Sequence, residues 1–327
     1  MSGHVHPTEL IDLPELICPF PSATNPHAAV VEERAIEWGR RFKIITDNRV
    51  LHAVRAAKAG WLVAWAYPHA PIEALQLIAD WNIWLLIWED RCSSPELGTQ
   101  PERLEAIHAR FLAILSGAPS TAQDGPLEHG LRDLRERMLA QTTYQWLQQF
   151  YQSILEVFDS WVWEATNRAR GTKPDLETYL RMRPSTGALP PYLHFLALTD
   201  QVFLPRKVHE HPYVYQLTLM ANNIICWSND LFSFDKERHE GELHNLVLIL
   251  QDHMQLSLQA SAQHVAQLHN AEVEAFLNLA AHVHAFSDLN ANLNQYVALL
   301  RNWIRANMNW AAISGRYNPP MEREVGQ

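Results

Sequence analysis

Cysteine is scarce in this chain of 327 residues, and the three present, Cys18, Cys92 and Cys226, lie far apart without a C-x-x-C pair. Such spacing argues against a zinc knuckle and against a disulfide framework. A reducing compartment fits best, so we expect a cytoplasmic protein.

An excess of basic residues is also lacking. The net charge of −10 and the sequence pI of about 5.9 provide no basic field for nucleic acid. No apolar run reaches the roughly 18 residues of a membrane span, and the N-terminus lacks a basic region followed by an apolar one. We therefore expect no nucleic-acid partner and no membrane insertion, and a polyanionic ligand would need a local cluster of cations or bound metal.

Strict alternation of apolar and polar residues is absent as well, so strands are not expected. Apolar residues instead recur at i, i+3, i+4 and i+7, as in residues 28–42, 72–88 and 144–165. Breakers rich in Pro and Gly separate these runs, and none resembles an interdomain linker. With twelve Trp, the pattern predicts one all-α domain of about ten to twelve helices.

The stretch NDLFSFDKE, residues 229–237, places three oxygen-bearing side chains at a spacing of four. Because positions four apart on an α-helix drift by only about 40°, Asn229, Ser233 and Glu237 project from one face. Three hard oxygen donors on one face can hold a hard cation. The following residues predict a helix end at Gly241 and a new apolar helix starting at Asn245.

This block resembles the second metal-binding motif of bacterial class I terpene synthases, and three other segments match that family in order. YLRMRPSTGALP (179–190) resembles its pyrophosphate-sensor region, with Arg183 lying 46 residues before Asn229. SGRYNP (314–319) resembles its Arg-Tyr pair, and PFPSATNPHA (19–28) its N-terminal segment. The resemblance implies a class I terpenoid synthase-like helical bundle over residues 1–327.

From this resemblance we expect residues 1–25 to cap the site and residues 318–327 to form a tail. It also implies a prenyl diphosphate substrate and a cofactor of three Mg²⁺ ions, and it leaves a homodimer open. Mg²⁺ suits the chemistry because it prefers oxygen ligands and bridges phosphates. Side chains expected to hydrogen-bond the diphosphate are Arg183, Lys236, Arg316 and Tyr317.

The residues around Arg183 also predict a helix break. Pro184 disfavours the α conformation at Arg183, and Gly187 follows shortly. The resemblance gives this break a catalytic part. Thr186 would link the sensor Arg183 to Gly187, whose carbonyl would face the substrate.

The acidic motif on an earlier helix is degenerate. The family carries D-D-x-x-D or a close variant, whereas IWEDRCSSPE (87–96) offers Glu89 and Asp90, followed by serines where a further acid is expected. We expect Glu89 and Asp90 to hold metal, with Glu96 or water completing the set. The alternative is weak or altered activity.

A carbocation would need a dry cavity with aromatic walls, because aromatic faces attract cations and resist alkylation. We expect Trp84 and Trp88 on the acid-bearing helix, Tyr192 after the helix break and Trp310 near Arg316 to contribute. Two neighbouring residues, Leu85 and Leu86, would line the same wall and widen it.

Three alternatives compete with a terpene synthase. A chain-elongating prenyltransferase needs two Asp-rich motifs, and this chain contains no D-D-x-x-D. A ferritin-like di-iron protein would need two E-x-x-H motifs, and only Glu105 to His108 has that spacing. A catalytically impaired binding protein of the same fold stays open. Among substrates we favour C15 farnesyl diphosphate, giving a sesquiterpene, over C20 geranylgeranyl diphosphate, giving a diterpene.

Overall fold

The structure is a computed structural model that describes residues 11–286, 289 and 291–317 of the chain. These residues form fifteen α-helices, one 3-10 helix (Val283–Phe286) and no β-strand. The helices are α1 (Ala28–Arg41), α2 (Asn48–Ala57), α3 (Ala59–Ala66), α4 (Ile72–Cys92), α5 (Pro101–Leu115), α6 (Pro126–Gln141), α7 (Tyr144–Arg170), α8 (Leu176–Thr186), α9 (Pro190–Leu193), α10 (Leu196–Thr199), α11 (Arg206–His209), α12 (Pro212–Glu240), α13 (Leu246–Met254), α14 (Leu258–Ala280) and α15 (Leu293–Ile313).

The all-α prediction is confirmed, but its estimate of ten to twelve helices is too low. Residues 190–209 contain three single-turn helices, which are too short to show an apolar period. The run from 48 to 66 splits into α2 and α3 because Lys58 adopts a left-handed conformation with φ of 55°. Local features of the sequence do not specify either division.

Helix boundaries follow capping side chains where the sequence supplies them. Asp47, Thr143 and Asp175 each accept a hydrogen bond from the backbone N–H three residues later, at the start of α2, α7 and α8. The predicted end of α12 at Gly241, with φ of 75°, and the predicted start of α13 after Asn245 are both confirmed.

The core between α4, α5 and α7 is aromatic. Trp81 and Trp84 stack with ring centroids 5.3 Å apart, and Trp88 packs edge-on against Phe111 at 4.9 Å. The indole of Trp84 donates to the carbonyl of Leu127. The structure therefore contradicts the expectation that Trp84 and Trp88 line a substrate cavity, because α4 turns these two rings into the core.

Helix α12 lies at the centre of the second half of the fold, where it packs against α8, α13, α14 and α15. The described part of the predicted capping segment, residues 11–25, runs partly along α14. There the backbone N–H groups of Asp12 and Ile17 donate to Gln259 and Asn270. Residues 1–10 and the predicted tail, 318–327, lie outside the described residues, so the capping role stays a prediction.

None of the helices within the described ranges combines the length and the apolar character needed to cross a membrane.

Candidate active site

One face of α12 carries the three predicted oxygen donors into a cavity. Asn229, Ser233 and Glu237 all line this cavity, as the spacing of four requires. Ser233 is buried and donates its hydroxyl to the carbonyl of Asn229 at 2.7 Å, which leaves the lone pairs of its oxygen available. The donors are thus held in place by bonds within the helix and by neighbouring elements.

Glu237 is fixed from the start of α13. Asn245 donates its amide to Glu237 Oε2 at 2.8 Å and to the carbonyl of Asp230 at 2.8 Å. Burial, reinforced by the negative charge of Asp230, raises the pKa of Glu237 to about 7. A cation bound here would favour the ionised carboxylate and so lower this pKa.

The end of α4 brings the degenerate acidic pair to the mouth of the same cavity. Asp90 accepts two hydrogen bonds from the Arg316 guanidinium, at 2.8 and 3.0 Å, and Glu89 lies 3.9 Å from the same group. Burial at the mouth raises the pKa of Glu89, and Arg316 opposes that rise. Glu96, named as a further ligand, is exposed and lies outside the set of residues that line the cavity.

Arg183 extends from α8 into the cavity and contacts side chains of α12. Its guanidinium donates to Asn229 Oδ1 at 2.8 Å and to Asp230 Oδ1 at 2.9 Å. Asp230 is completely buried and also accepts from the Tyr179 hydroxyl at 2.6 Å. Burial acts to raise the pKa of Asp230, and Arg183 opposes this rise by stabilising the carboxylate.

The predicted helix break occurs later than expected. Arg183 and Pro184 are both helical, and α8 continues to Thr186 before it ends at Gly187. The prediction of a break at Arg183 is wrong because tertiary contacts override the local preference of a residue before proline. The chain instead turns at Ala188, whose φ is 55°.

The remaining predicted diphosphate partners also line the cavity. Tyr317 accepts from the Asn229 amide at 2.7 Å, and burial raises its pKa. Lys236 is 37% exposed and lies 3.7 Å from Glu240. The Thr186 hydroxyl accepts from the Arg183 guanidinium at 3.3 Å, so the structure brings the predicted sensor and the predicted linker together.

The walls beyond these polar groups are aromatic and aliphatic. Leu85, Leu86, Gly187, Tyr192 and Trp310 line the cavity, as the sequence predicts. Sequence reasoning missed Trp161, Trp303, Leu62, Asn82 and Asn307, which also line it. The indoles lie on α7 and α15, and no local motif signals their orientation.

A polar cluster at the rim was also missed. Glu242 accepts from Arg168 Nε at 2.8 Å and from the backbone N–H of Leu243 at 2.7 Å, and it lies 2.6 Å from His244 Nδ1. Burial acts to raise the pKa of Glu242, but His244 and Arg168 outweigh it and lower that pKa to about 2. The cluster connects α7 to the segment that leads into α13, and the E-G-E-x-H-N run at residues 240–245 was the available signal.

Every cation that lines the cavity has an acidic partner. Arg168, Arg183, Lys236 and Arg316 pair respectively with Glu242, Asp230, Glu240 and Asp90. Among the described lining residues, four basic side chains face six acidic ones: Glu89, Asp90, Glu164, Glu237, Glu240 and Glu242. The lining alone therefore carries no surplus of positive charge for a polyanion.

The donor set fits Mg²⁺. Oxygen atoms alone make up the predicted ligands, and Glu237 has a raised pKa that a bound cation would reverse. Within the part of the chain that the structure describes, no three His, Cys, Asp or Glu side chains gather into a metal site. A metal here would therefore depend on the Asn229 amide and the Ser233 hydroxyl as much as on carboxylates.

Comparison with known proteins places this geometry in context. The family profile "Terpene synthase family 2, C-terminal metal binding" matches residues 80–275. Germacrene A synthase of Nostoc punctiforme is 37% identical over 306 residues, which cover 93% of this chain and 95% of the relative. A (+)-T-muurolol synthase of Roseiflexus castenholzii, described as cyclising (2E,6E)-farnesyl diphosphate, is 38% identical over 305 residues, or 93% of each chain.

Among solved structures, a protein from ancestral sequence reconstruction aligns with a TM-score of 0.84 and 27% identity. The alignment covers 92% of this chain and 90% of that one. The likeness therefore extends over nearly the whole chain.

Proposed function

The chain belongs to the terpene synthase family, and from this membership we propose that it ionises farnesyl diphosphate, cyclises the carbocation to a sesquiterpene and releases pyrophosphate. The resemblance inferred from four sequence segments is thereby confirmed. The observation that carries the proposal is the cavity itself, where the oxygen face of α12 and the acidic end of α4 meet over a wall of indole rings.

We propose that Asn229, Ser233 and Glu237 hold Mg²⁺ on one side of the mouth and that Glu89 and Asp90 hold it on the other, with three ions in all. When bound, Mg²⁺ supplies the positive charge that stabilises the diphosphate as its allylic C–O bond breaks. The shared cavity and the oxygen-only donors support this assignment.

Four side chains would bind the diphosphate directly. Arg183 and Arg316 present planar guanidinium groups suited to phosphate oxygens, Lys236 adds a point charge, and Tyr317 adds a hydroxyl. Arg183 already contacts Asn229, and Tyr317 accepts from the same amide. This shared partner supports a role in which diphosphate and metal sites assemble together.

The apolar wall would protect the cation after ionisation. Tyr192 and Trp303 lie with ring centroids 4.9 Å apart, and Trp161 and Trp310 complete the aromatic lining. Desolvated aromatic faces attract a cation by about 1–2 kcal/mol each, and they exclude water that would quench it. These rings thus favour internal ring closure over early hydration.

One observation favours the C15 substrate over the C20 alternative. Relatives over 93% of this chain include an enzyme described as cyclising farnesyl diphosphate. The leucines at 85 and 86, expected to widen the site, share the cavity lining with the indoles of Trp161 and Trp303.

Incubation of the purified protein with Mg²⁺ and each of the C10, C15 and C20 diphosphates tests the proposal. We expect sesquiterpenes from farnesyl diphosphate, detected by gas chromatography and mass spectrometry. Products from the C20 substrate alone would overturn the substrate assignment. If no diphosphate yields product, the impaired binding protein gains support.

We also propose a cytoplasmic location, supported by the three free thiols. A homodimer stays a prediction, which light scattering on the eluted protein would test.

A further inference from the structure

The end of α8 leaves one carbonyl without its helical donor. In a continuing helix, the N–H of Ala188 would bond to the carbonyl of Pro184. Because Ala188 is left-handed, its N–H donates instead to Ser185 O at 3.1 Å. The Pro184 carbonyl must therefore find another partner.

Asn222 on α12 supplies that partner. Its side-chain amide donates to Pro184 O at 2.6 Å, and the residue is only 3% exposed. The amide oxygen lies 3.3 Å from the Cys226 sulfur, which lies 3.6 Å from the carbonyl of Arg183. Two residues one turn apart on α12 thus contact two successive carbonyls of the broken helix.

Cys226 also explains why residue 187 is glycine. A Cβ atom at position 187 would lie 2.4 Å from the Cys226 sulfur, far inside van der Waals contact. The next nearest atoms, the Arg183 carbonyl and guanidinium, would lie at 3.4 and 3.5 Å, which is tolerable. Since φ at Gly187 is −71°, the backbone accepts any residue, and only the sulfur excludes a side chain.

These contacts share a helix face with the candidate metal ligands. Positions 222, 226, 229, 233 and 237 are separated by three steps of four residues and one step of three, so they lie along one stripe of α12. Both ends of the stripe are rigidly connected by the helix. A shift of α8 along α12 would therefore move Arg183 and Gly187 relative to the metal ligands.

We propose that Asn222 and Cys226 are positioning residues that fix the end of α8 on α12 and so set the placement of Arg183 and Gly187 in the cavity. The inference rests on the proposed function. No hydrogen bond among the described residues ends on the Gly187 carbonyl, although its neighbours Pro184, Ser185 and Thr186 are all bonded through theirs. Asn222 on α12 satisfies the Pro184 carbonyl, the Ala188 N–H and the Trp161 indole satisfy the next two, and the Gly187 carbonyl keeps no such partner among the described residues.

The first test compares Asn222→Asp with Asn223→Asp. Both changes are isosteric, and each replaces a donating amide by a carboxylate that repels its acceptor, Pro184 O for Asn222 and Glu272 for Asn223. We expect Asn222→Asp to lower kcat at least 30-fold with KM within threefold, and Asn223→Asp to stay within twofold of wild type. Pyrophosphate binding with Mg²⁺, measured by calorimetry, should stay within fivefold in both variants.

The second test is a rescue. Gly187→Ala should lower both kcat, by at least 100-fold, and the melting temperature, because its methyl group meets the sulfur. Cys226→Ala should cost about threefold in kcat. The double variant should return to within fivefold of Cys226→Ala and recover the melting temperature of that variant.

Two results would overturn the proposal: equal losses of kcat in the two Asp variants, or a double variant no more active and no more stable than Gly187→Ala. The melting temperatures report on the contact without any turnover. A wild-type protein inactive on farnesyl diphosphate would therefore refute the proposed function separately. The recovery of the melting temperature would still show whether Cys226 contacts position 187.

Discussion

Arg183 satisfies two demands at once, since it neutralises the buried Asp230 and also reaches Asn229 on the face that would hold metal. Removing the charge would leave Asp230 unpaired, which typically costs about 3–5 kcal/mol. Arg183→Ala would therefore confuse misfolding with lost catalysis. A lysine keeps the charge but cannot contact both partners through a planar fork.

We expect Arg183→Lys to lower kcat at least 100-fold while the protein stays folded. The exposed Arg181, two residues earlier on α8, provides the control, and Arg181→Lys should be indistinguishable from wild type. Steady-state release of pyrophosphate and circular dichroism check the two expectations. Full activity in Arg183→Lys would refute the sensor role.

The acidic pair of α4 separates into two unequal members. Asp90 holds Arg316 through two hydrogen bonds, whereas Glu89 lies 3.9 Å from that group. We therefore expect Asp90→Asn nearly to abolish turnover, and Glu89→Asp, which shortens the arm to the usual length, to keep or raise it. Turnover of farnesyl diphosphate across a Mg²⁺ titration measures both, and equal tolerance of the two changes would mean that this helix binds no metal.

At the scale of elements, the contact between α1 and α3 buries a carboxyl group. Glu32 is 5% exposed, accepts from the N–H of Gly60 at 2.5 Å, and has an Oε1 atom without a partner among the described residues. Burial raises the pKa of Glu32 from 4.5 to about 7. A raised pKa means that the folded state binds the proton more tightly, so stability falls as pH rises from 4.5 through 7.

That shift corresponds to about 3 kcal/mol lost above pH 7. Glu32→Gln should therefore raise the free energy of unfolding by a similar amount at pH 8 and change it little at pH 5. Its neighbour Glu33, an exposed partner of Arg55, provides the control, and Glu33→Gln should not stabilise the protein at pH 8. Urea unfolding at both pH values measures these free energies. An effect of Glu32→Gln that is the same at pH 5 and pH 8 would contradict the burial argument.

Elements also differ in how far the sequence determines them. The oxygen donors of α12 recur every four residues, so the sequence alone could place Asn229, Ser233 and Glu237 on one helix face. Helix α4 is apolar on nearly every side, so its period cannot distinguish Leu85 and Leu86, which line the cavity, from Trp84 and Trp88, which enter the core. Trp161 and Trp303 join the cavity through long-range packing, which one sequence does not reveal.

At the scale of the whole molecule, a set of hydrogen bonds connects three residues that line the cavity, Asn82, Tyr192 and Trp303, through the buried Tyr67. The Tyr67 hydroxyl donates to the Tyr192 carbonyl at 2.5 Å and accepts from the Trp303 indole at 3.3 Å. The Tyr192 hydroxyl in turn donates to Asn82 on α4 at 2.5 Å. Tyr67 is buried and lies outside the cavity lining, yet it fixes two aromatic walls.

We expect Tyr67→Phe to change the ratio of terpene products while total pyrophosphate release stays within threefold, because the rings move and the ionising groups do not. Tyr296, equally buried and bonded to the Thr218 hydroxyl away from the cavity, provides the control. Tyr296→Phe should preserve the product ratio, as read by gas chromatography. Identical product ratios in wild type and Tyr67→Phe would show that this set of hydrogen bonds does not shape the cavity.

The pairing of every lining cation with an acid has a kinetic consequence. With a net charge of −10 and no unpaired positive group in the lining among the described residues, the protein has no field that steers a bare diphosphate towards the site. Added salt should then screen repulsion instead of attraction. Without Mg²⁺, the rate at which farnesyl diphosphate associates should therefore stay level or rise as KCl increases, whereas a site that captures its substrate by long-range attraction binds it more slowly under the same titration.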